Sequence, residues 1–370
     1  MTKKTLNRDT LQQYFETRHA APVQILELQP IGGEERGQEA IKQFGYGRPL
    51  LVTYKVGAEE KQEVVHRVRQ NEFGRERADD RAAAVWLDYR TFNRLPRHVE
   101  AVDMLVQDTA GELKSLQTAV ELLLVTTYRP GQLYADDLQR IRDEAAVRPQ
   151  DEERVWQLAA YLAEIHQTRQ ESPMLWRRRL RDLIGHGEGI MGLTDSYPSN
   201  LPYAPSATLQ AIEEAANRWR WRLRPMTHRL RQVHGDFHPY NIIFANKTTF
   251  YVLDRSRGAW GEPADDVSSI SLNYLFFSLQ RSGALTEPFR LLHELFWEKY
   301  LALRPDEEML RVIQPWFAWR ALVLASPIWY PTLSEDTRRK LLAFARNVLA
   351  TDAYDYLHVN QYFEENNDSP

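Results

Sequence analysis

Between residues 234 and 244 the chain reads HGDFHPYNIIF, with His234, Asp236 and His238 at alternate positions and Asn241 just beyond them. On an extended segment the first three side chains would point to one side, so ligation of zinc or iron is one chemistry open to them. Such a site needs a fourth ligand or an open water position, and no second His/Asp cluster with ligand spacing stands out. A second reading treats both histidines as hydrogen-bonded loop residues. A third takes Asp236 and Asn241 together as D-x-x-x-x-N. In that pattern an aspartate receives a hydroxyl proton during phosphoryl transfer and an asparagine holds Mg2+. The residues that follow favour the third. IIF continues from Asn241, a turn around Ala245-Asn246-Lys247 comes next, and FYVL ends in Asp254. A hairpin there returns Asp254 to the loop, where its carboxylate can supply the hard oxygen ligand that a phosphate-bound Mg2+ takes.

Such a loop needs elements to hold it. VQILELQPI, EAIKQFGYG, RPLLVTYKVG and KQEVVHRVRQ are short β-rich runs broken by Gly and Pro, which predicts antiparallel strands. RERADDRAAAVWLDYRTFNRL predicts a helix with Ala82, Val85, Trp86 and Tyr89 on one apolar face, and VEAVDMLVQ and VELLLVTTYRP predict two more strands. After TTYRPGQLYADDL the character changes. VWQLAAYLAEIHQTR is an amphipathic helix, the stretch from Ala211 to Leu230 is another with a break at Pro225, and helical patterns dominate from Ser268 onward. The expected fold class is α+β and bilobal: an antiparallel β N-lobe with one helix over residues 1–128, a mainly helical C-lobe over residues 129–370, and a cleft between them.

Composition sets outer bounds. A chain of 370 residues with 43% hydrophobic and 26% charged content is that of a soluble globular protein large enough for two lobes. No long uncharged apolar run predicts a membrane span, and MTKKTLNRDTLQQYF lacks the apolar core of a signal peptide. The absence of cysteine excludes disulfides and Cys-ligated metal sites and suits a reducing cytosol, so a cytoplasmic location is expected. A net charge of −4 gives no reason to expect nucleic-acid binding.

HGDFHPYNIIF followed by YVLDRSRGAWGEPADDVSS resembles the aminoglycoside phosphotransferase and choline kinase-like family, relatives of the protein kinases. The family pattern runs His-Gly-Asp, four residues, Asn, a hairpin to Asp, then Gly-Asp-Pro and a further Asp. LLLVTTYRPGQLYADDL resembles its hinge strand, and LAAYLAEIH its helix ending in Leu-His, with Ile in place of Leu. The resemblance covers most of the chain in order. It implies a protein kinase-like fold and a Mg2+-dependent small-molecule kinase that passes the γ-phosphate of ATP or GTP to a substrate hydroxyl.

Carried over by position, the resemblance implies Asp236 as the catalytic base and Asn241 and Asp254 as Mg2+ ligands. It implies Asp266 as a brace of the loop and His234 as an orienting residue, with His238 shaping the loop. The nucleotide base is expected at the hinge from Leu124 to Tyr128, with Thr126 and Tyr128 among its contacts, and the phosphates beneath IGGEERGQ, Gly33 included. Kinase relatives also hold the phosphates with a cation on the third strand. Val64, Val65, His66, Arg67 fits that pattern with Arg67 as the cation, able to grip phosphate bidentately. Its acidic partner stays open among Glu76, Asp79 and Asp80.

Two departures bear on activity. IGGEERGQ sets two glutamates near the expected polyphosphate, and Arg255-Ser256-Arg257 follows Asp254 where relatives place an aromatic or acidic residue. The basic pair could touch the phosphates or compete with Mg2+, so a catalytically silent relative that binds a ligand or partner protein is the alternative function. The basic stretches WRRRLRDL and NRWRWRLRPMTHRLR, which read otherwise as solvated helix faces, argue against a polycationic aminoglycoside and for an anionic or neutral acceptor. PWFAWRALVLASPIWYP either lines the acceptor site with Trp316, Trp319 and Arg320, as aromatic boxes do for quaternary amines, or is core. GHGEGIMGLTDSYPSN reads as a loop with no assigned chemistry. Expected partners are a nucleoside triphosphate and a small hydroxylated substrate, with no nucleic acid and no membrane; acceptor, preferred nucleotide and oligomeric state leave no mark in the sequence.

Overall fold

The computed structural model describes residues 6–31, 49–69, 78–114, 121–255 and 257–364, with residues 78–80, 121 and 122 by backbone alone. The chain divides into two compact units, Met1–Pro130 and Gly131–Pro370.

In the N-terminal unit, strands β1 (Val23–Pro30), β2 (Leu50–Val56), β3 (Glu59–Arg67), β4 (Ala101–Gln107), β5 (Leu113–Lys114) and β6 (Glu121–Thr127) form one sheet. Their spatial order is β1-β2-β3-β6-β4-β5 and every pairing is antiparallel. Helix α1 (Arg8–His19) precedes them, started by Asn7, whose side chain accepts the Thr10 N–H at 2.9 Å. Leu11 and Phe15 of α1 bury against Ile25, Tyr54, Val65 and Val125 on one face of the sheet. The sequence reading did not place α1, because its few apolar residues are diluted by Arg, Gln, Glu and Thr on the solvent side.

Helix α2 (Ala78–Thr91) is the predicted one, but its face is turned. Arg81, Val85, Asp88 and Thr91 are buried, whereas Trp86 and Tyr89 are each 39% exposed. Of the expected apolar face only Val85 is deeply buried; polar residues that find partners took positions that a hydrophobicity count reserves for aromatics. The expected strand EAIKQFGYG, the glycine segment with Gly33, and Glu76 lie outside the described residues. Asp79 and Asp80 sit in the first turn of α2, described by backbone alone.

The C-terminal unit opens with β7 (Gln132–Leu133), α3 (Tyr134–Glu144), α4 (Pro149–Ile165), α5 (Pro173–Gly185), α6 (Ile190–Asp195) and α7 (Ser206–Leu223). Next come β8 (Arg231–Gln232), the predicted hairpin as β9 (Ile242–Phe244) and β10 (Phe250–Val252), and β11 (Trp260–Gly261). Helices α8 (Pro263–Ser282), α9 (Phe289–Leu303), α10 (Met309–Val312), α11 (Gln314–Ala325) and α12 (Glu335–Leu349) complete it. The break expected at Pro225 falls between α7 and a short 3-10 turn at Thr227–Arg229. β7 joins β9 as a third strand, and a Cβ at Gly131 would come within 2.5 Å of Ile243 Cγ2 and the Phe244 carbonyl oxygen, so that approach admits only glycine. Among the described residues no helix is long and apolar enough to cross a membrane.

Candidate active site

The loop His234–Asn241 links β8 to β9. β8 pairs with β11 through Gln232↔Trp260 and Arg231↔Gly261, which brings the first turn of α8 beneath the loop. Asp266 in that turn is fully buried and accepts the N–H groups of His234 and Gly235, both at 2.7 Å. His166, at the C-terminal end of α4, places Nε2 3.1 Å from the same carboxylate and Nδ1 2.8 Å from the Tyr300 hydroxyl. Burial opposes charge on Asp266, but these donors prevail and hold its pKa below the usual carboxylate range. Burial pushes His166 down, so a neutral ring donates from Nε2 to Asp266 and accepts the Tyr300 hydroxyl at Nδ1. Gly235 turns the chain at φ +87°, and a Cβ there would stand 3.3 Å from Arg257 Cβ.

The functional side chains rise from this frame. His234 accepts the Asp236 N–H on Nδ1 at 3.2 Å, and burial pushes it down to about 4, so it is a neutral ring that braces the loop from within. Asn241 donates from Nδ2 to the Asp236 carbonyl at 3.0 Å and to Asp236 Oδ2 at 3.4 Å. The Leu253 N–H donates to the Asn241 carbonyl at 2.8 Å beside the Ile242↔Val252 pairing, so Asp254 emerges next to Asn241. Asp254 has φ +49°, a left-handed conformation that costs a non-glycine residue about 1–2 kcal/mol and that Asp tolerates better than most.

An amide oxygen and a carboxylate suit Mg2+, which takes hard oxygen ligands and few of them from protein. Among the described residues no group of three or more His, Cys, Asp or Glu could hold a metal ion. The His/Asp metal reading fails for a local reason: His234 and His238 both spend Nδ1 on backbone N–H groups, of Asp236 and Tyr240 respectively.

Asp236 does not stand alone. Its Oδ1 lies 2.7 Å from Arg320 Nη1 and 2.9 Å from Arg257 Nη1, and His238 Nε2 is 3.6 Å from Oδ2. Arg320, on α11, also donates to Asp265 Oδ1 at 2.6 Å. Arg257 donates to the Gly235 carbonyl at 2.9 Å and holds Nη2 3.7 Å from Glu188 Oε2. Trp319 lies against both guanidiniums, at 4.1 Å from Arg320 and 4.7 Å from Arg257, and donates its ring N–H to the Glu188 carbonyl at 2.6 Å. Arg179 of α5 supports the group from behind, on the Arg257 carbonyl and Asp265. Burial raises the Asp265 pKa against the pull of Arg320 and Arg179.

Asp236, Asn241, Asp254, His234, Asp266, Trp319 and Arg320 thus share one neighbourhood, whereas Trp316 is buried one helical turn earlier in α11. Arg67, Thr126 and Tyr128 belong to the N-terminal unit. Arg67 pairs in register with Leu123 on the α1 face of the sheet and donates to Gln107 at 3.3 Å. His66 points the opposite way, 2.9 Å from the Thr126 hydroxyl, and burial pushes it down to about 4. Tyr128 is half-buried just beyond β6. The Arg255-Ser256-Arg257 departure separates into two roles. Arg255 is fully buried, its guanidinium donating to the Val233 and Ala259 carbonyls, while Arg257 reaches Asp236.

The sequence reading missed Arg179, Glu188, Asp265 and the role of His166. One signal existed for Arg179: it falls three residues after buried Trp176 and beside buried Leu180, while Arg177, Arg178 and Arg181 are exposed.

The chain belongs to the phosphotransferase enzyme family, APH, whose family model matches residues 52–301. No curated protein sequence matches it significantly. Amicoumacin kinase hAmiN, solved with AMP-PNP, Ca2+ and Ami, is similar at 14% identity and TM-score 0.50 over 93% of this chain and 96% of that one. Choline kinase LicA from Streptococcus pneumoniae aligns at 14% identity and TM-score 0.49 over 92% and 98% of the two chains. A putative fructosamine-3-kinase from Haemophilus somnus 129PT aligns at 11% and 0.49 over 92% and 96%. At such identity the likeness concerns the fold: an antiparallel sheet unit and a helical unit of protein kinase-like type.

Proposed function

We propose that this phosphotransferase-family chain is a small-molecule kinase that transfers the γ-phosphate of a nucleoside triphosphate to a substrate hydroxyl. Asp236 is the base, and Asn241 and Asp254 hold Mg2+. The observation that carries this reading is the join between loop and hairpin: Asn241 gives its amide N–H to Asp236 and its carbonyl to Leu253 N–H, which sets Asp254 beside both. Asp236 orients the acceptor hydroxyl and takes its proton as the oxygen bonds phosphorus; the β–γ bridging bond breaks and its electron pair leaves on the nucleoside diphosphate. When bound, Mg2+ neutralises charge between the phosphates. Asp266 keeps the loop in register through the His234 and Gly235 N–H groups, so the base is positioned before substrate arrives. Thr126 and Tyr128 remain our assignment for the nucleotide, ATP or GTP, whereas Arg67 lies on the opposite face of the sheet from Thr126.

A second reading, a silent ligand-binding relative, is favoured by one observation: both arginines hold Asp236 Oδ1. Calorimetric titration of MgATP and MgGTP into the wild type and Asp254→Ala decides between them. Saturable Mg2+-dependent binding that the variant loses supports the kinase, and absence of binding at millimolar nucleotide removes it.

A further inference from the structure

We infer that Arg257 is a further catalytic residue of this site, a guanidinium supplied by the chain itself that touches the transferred phosphoryl group, with Glu188 and Trp319 as its positioning residues. This rests on the kinase reading above. The placement follows from Asp236. A hydroxyl hydrogen-bonded to that carboxylate lies about 3 Å from it and about 3–3.5 Å from the phosphorus it attacks. Arg257 Nη1 already stands 2.9 Å from Asp236 Oδ1, within reach of the equatorial oxygens of the same phosphoryl group.

The three arginines around the loop differ in how they are held. Arg255 is fully buried and committed to backbone carbonyls. Arg320 is fixed on Asp265 at 2.6 Å as well as on Asp236. Arg257 alone of the three combines contacts to the base and to the Gly235 carbonyl with a side chain 14% exposed and a second nitrogen 3.7 Å from Glu188. Trp319 supports the guanidinium plane at 4.7 Å, and its N–H on the Glu188 carbonyl ties ring and acidic loop together. GHGEGIMG therefore acquires a role: Glu188 is the second anchor onto which Arg257 can lean when Asp236 is engaged.

The charges run the right way. As the acceptor oxygen bonds phosphorus and the β–γ bond breaks, the hydroxyl proton passes to Asp236 and the carboxylate loses its hold on Arg257. Negative charge spreads over the equatorial oxygens of the phosphoryl group, and Arg257 donates N–H bonds to them while keeping its own protons. A cation in that position contributes about 10³–10⁵ in rate in other phosphoryl-transfer enzymes.

Calorimetry with MgADP alone and MgADP with aluminium fluoride, a planar phosphoryl mimic, tests this without knowing the acceptor. Wild type should bind the aluminium fluoride complex more tightly than MgADP. Arg257→Gln should lose about a hundredfold in affinity for the mimic and change MgADP affinity less than about threefold, with Arg257→Lys between them. Glu188→Gln should weaken the mimic by about tenfold, again sparing MgADP. An Arg257→Gln protein that binds the mimic as wild type does, or that loses MgADP and mimic alike, overturns the inference. A wild type that binds no MgADP overturns the kinase reading first and this with it.

Discussion

Two buried ion clusters of the C-terminal unit invert each other. In one, a cation is surrounded by carboxylates: Arg229 donates to Glu262 at 2.5 and 2.8 Å, to Asp306 at 2.9 and 3.1 Å and to Glu308 at 3.1 Å. In the other, the carboxylate Asp236 is surrounded by the cations Arg257 and Arg320. The first cluster joins the turn before β8 to Glu262, whose side chain caps α8 on the Ala264 N–H. Within it Asp306 is pushed down to about 2: burial opposes its charge, and hydrogen bonds and attraction from Arg229 and Arg304 overcome that. The second lies on the loop that α8 braces. One cluster fixes the frame and the other holds the carboxylate proposed as the base between two guanidiniums.

The largest expected effect breaks the first cluster. Arg229→Ala strands buried Glu262 without its cation and leaves Asp306 with Arg304 alone, and should destabilise the C-terminal unit by about 3–5 kcal/mol, read from urea unfolding. Asp236→Ala leaves Arg320 on Asp265 and Arg257 on the Gly235 carbonyl, so it should cost about 1–2 kcal/mol and, on the kinase reading proposed above, abolish phosphoryl transfer. Equal destabilisation by the two variants would erase the distinction between frame and site.

A further effect, spread over pH, comes from the neutral histidine on the loop that carries Asp236. His234 has a folded pKa of about 4 against an unfolded value of 6.5, so the unfolded chain binds more protons between those pH values. Its contribution is complete above pH 6.5 and is lost as pH falls toward 4, up to about 3 kcal/mol. Melting temperature should therefore drop on acidification from pH 7 to 4.5, and less so in His234→Asn, whose side chain does not titrate. The carboxylate window is separate: Asp266 and Asp306, both depressed, contribute fully above about pH 4 and lose it only below. A variant that follows the wild-type slope would show that other groups carry the acid response.

How far the sequence foretold each region depends on how local its geometry is. The catalytic-type loop and hairpin were legible because Asp236 with Asn241, and Asn241 with Leu253 beside Asp254, are joined by hydrogen bonds spanning fewer than twenty residues. The long-range partners were not. His166 reaches Asp266 across 100 positions and Arg320 reaches Asp236 across 84, and neither distance leaves a spacing to recognise. Arg320 was named for its neighbourhood, as an acceptor contact, and its position on Asp236 came only from the packing of α11. In the N-terminal unit most strands followed from β-rich runs between Gly and Pro, but α1 and the turned face of α2 depend on polar residues whose burial tertiary pairing decides. Arg67 illustrates the limit of motif matching: the pattern selects the residue, and strand alternation sets it on the α1 face while His66 takes the other.

The smallest expected effect sharpens the comparison from within the first cluster. Glu262 and Glu308 both contact Arg229, at 2.5 and 3.1 Å, but their side chains are 1% and 45% exposed. Water already solvates Glu308, and His228 shares it at 2.8 Å, so Glu308→Gln removes an interaction screened by solvent and salt. It should change stability by less than about 1 kcal/mol, with the remainder vanishing in high salt. Glu262→Gln keeps the shape but takes a carboxylate from a dry cation and from the α8 cap, so several kcal/mol should go, with little salt dependence. Matched unfolding curves at low and high salt separate these outcomes. If the two substitutions cost the same, depth of burial does not govern the cluster, and the division between frame and site must rest on Asp236 alone.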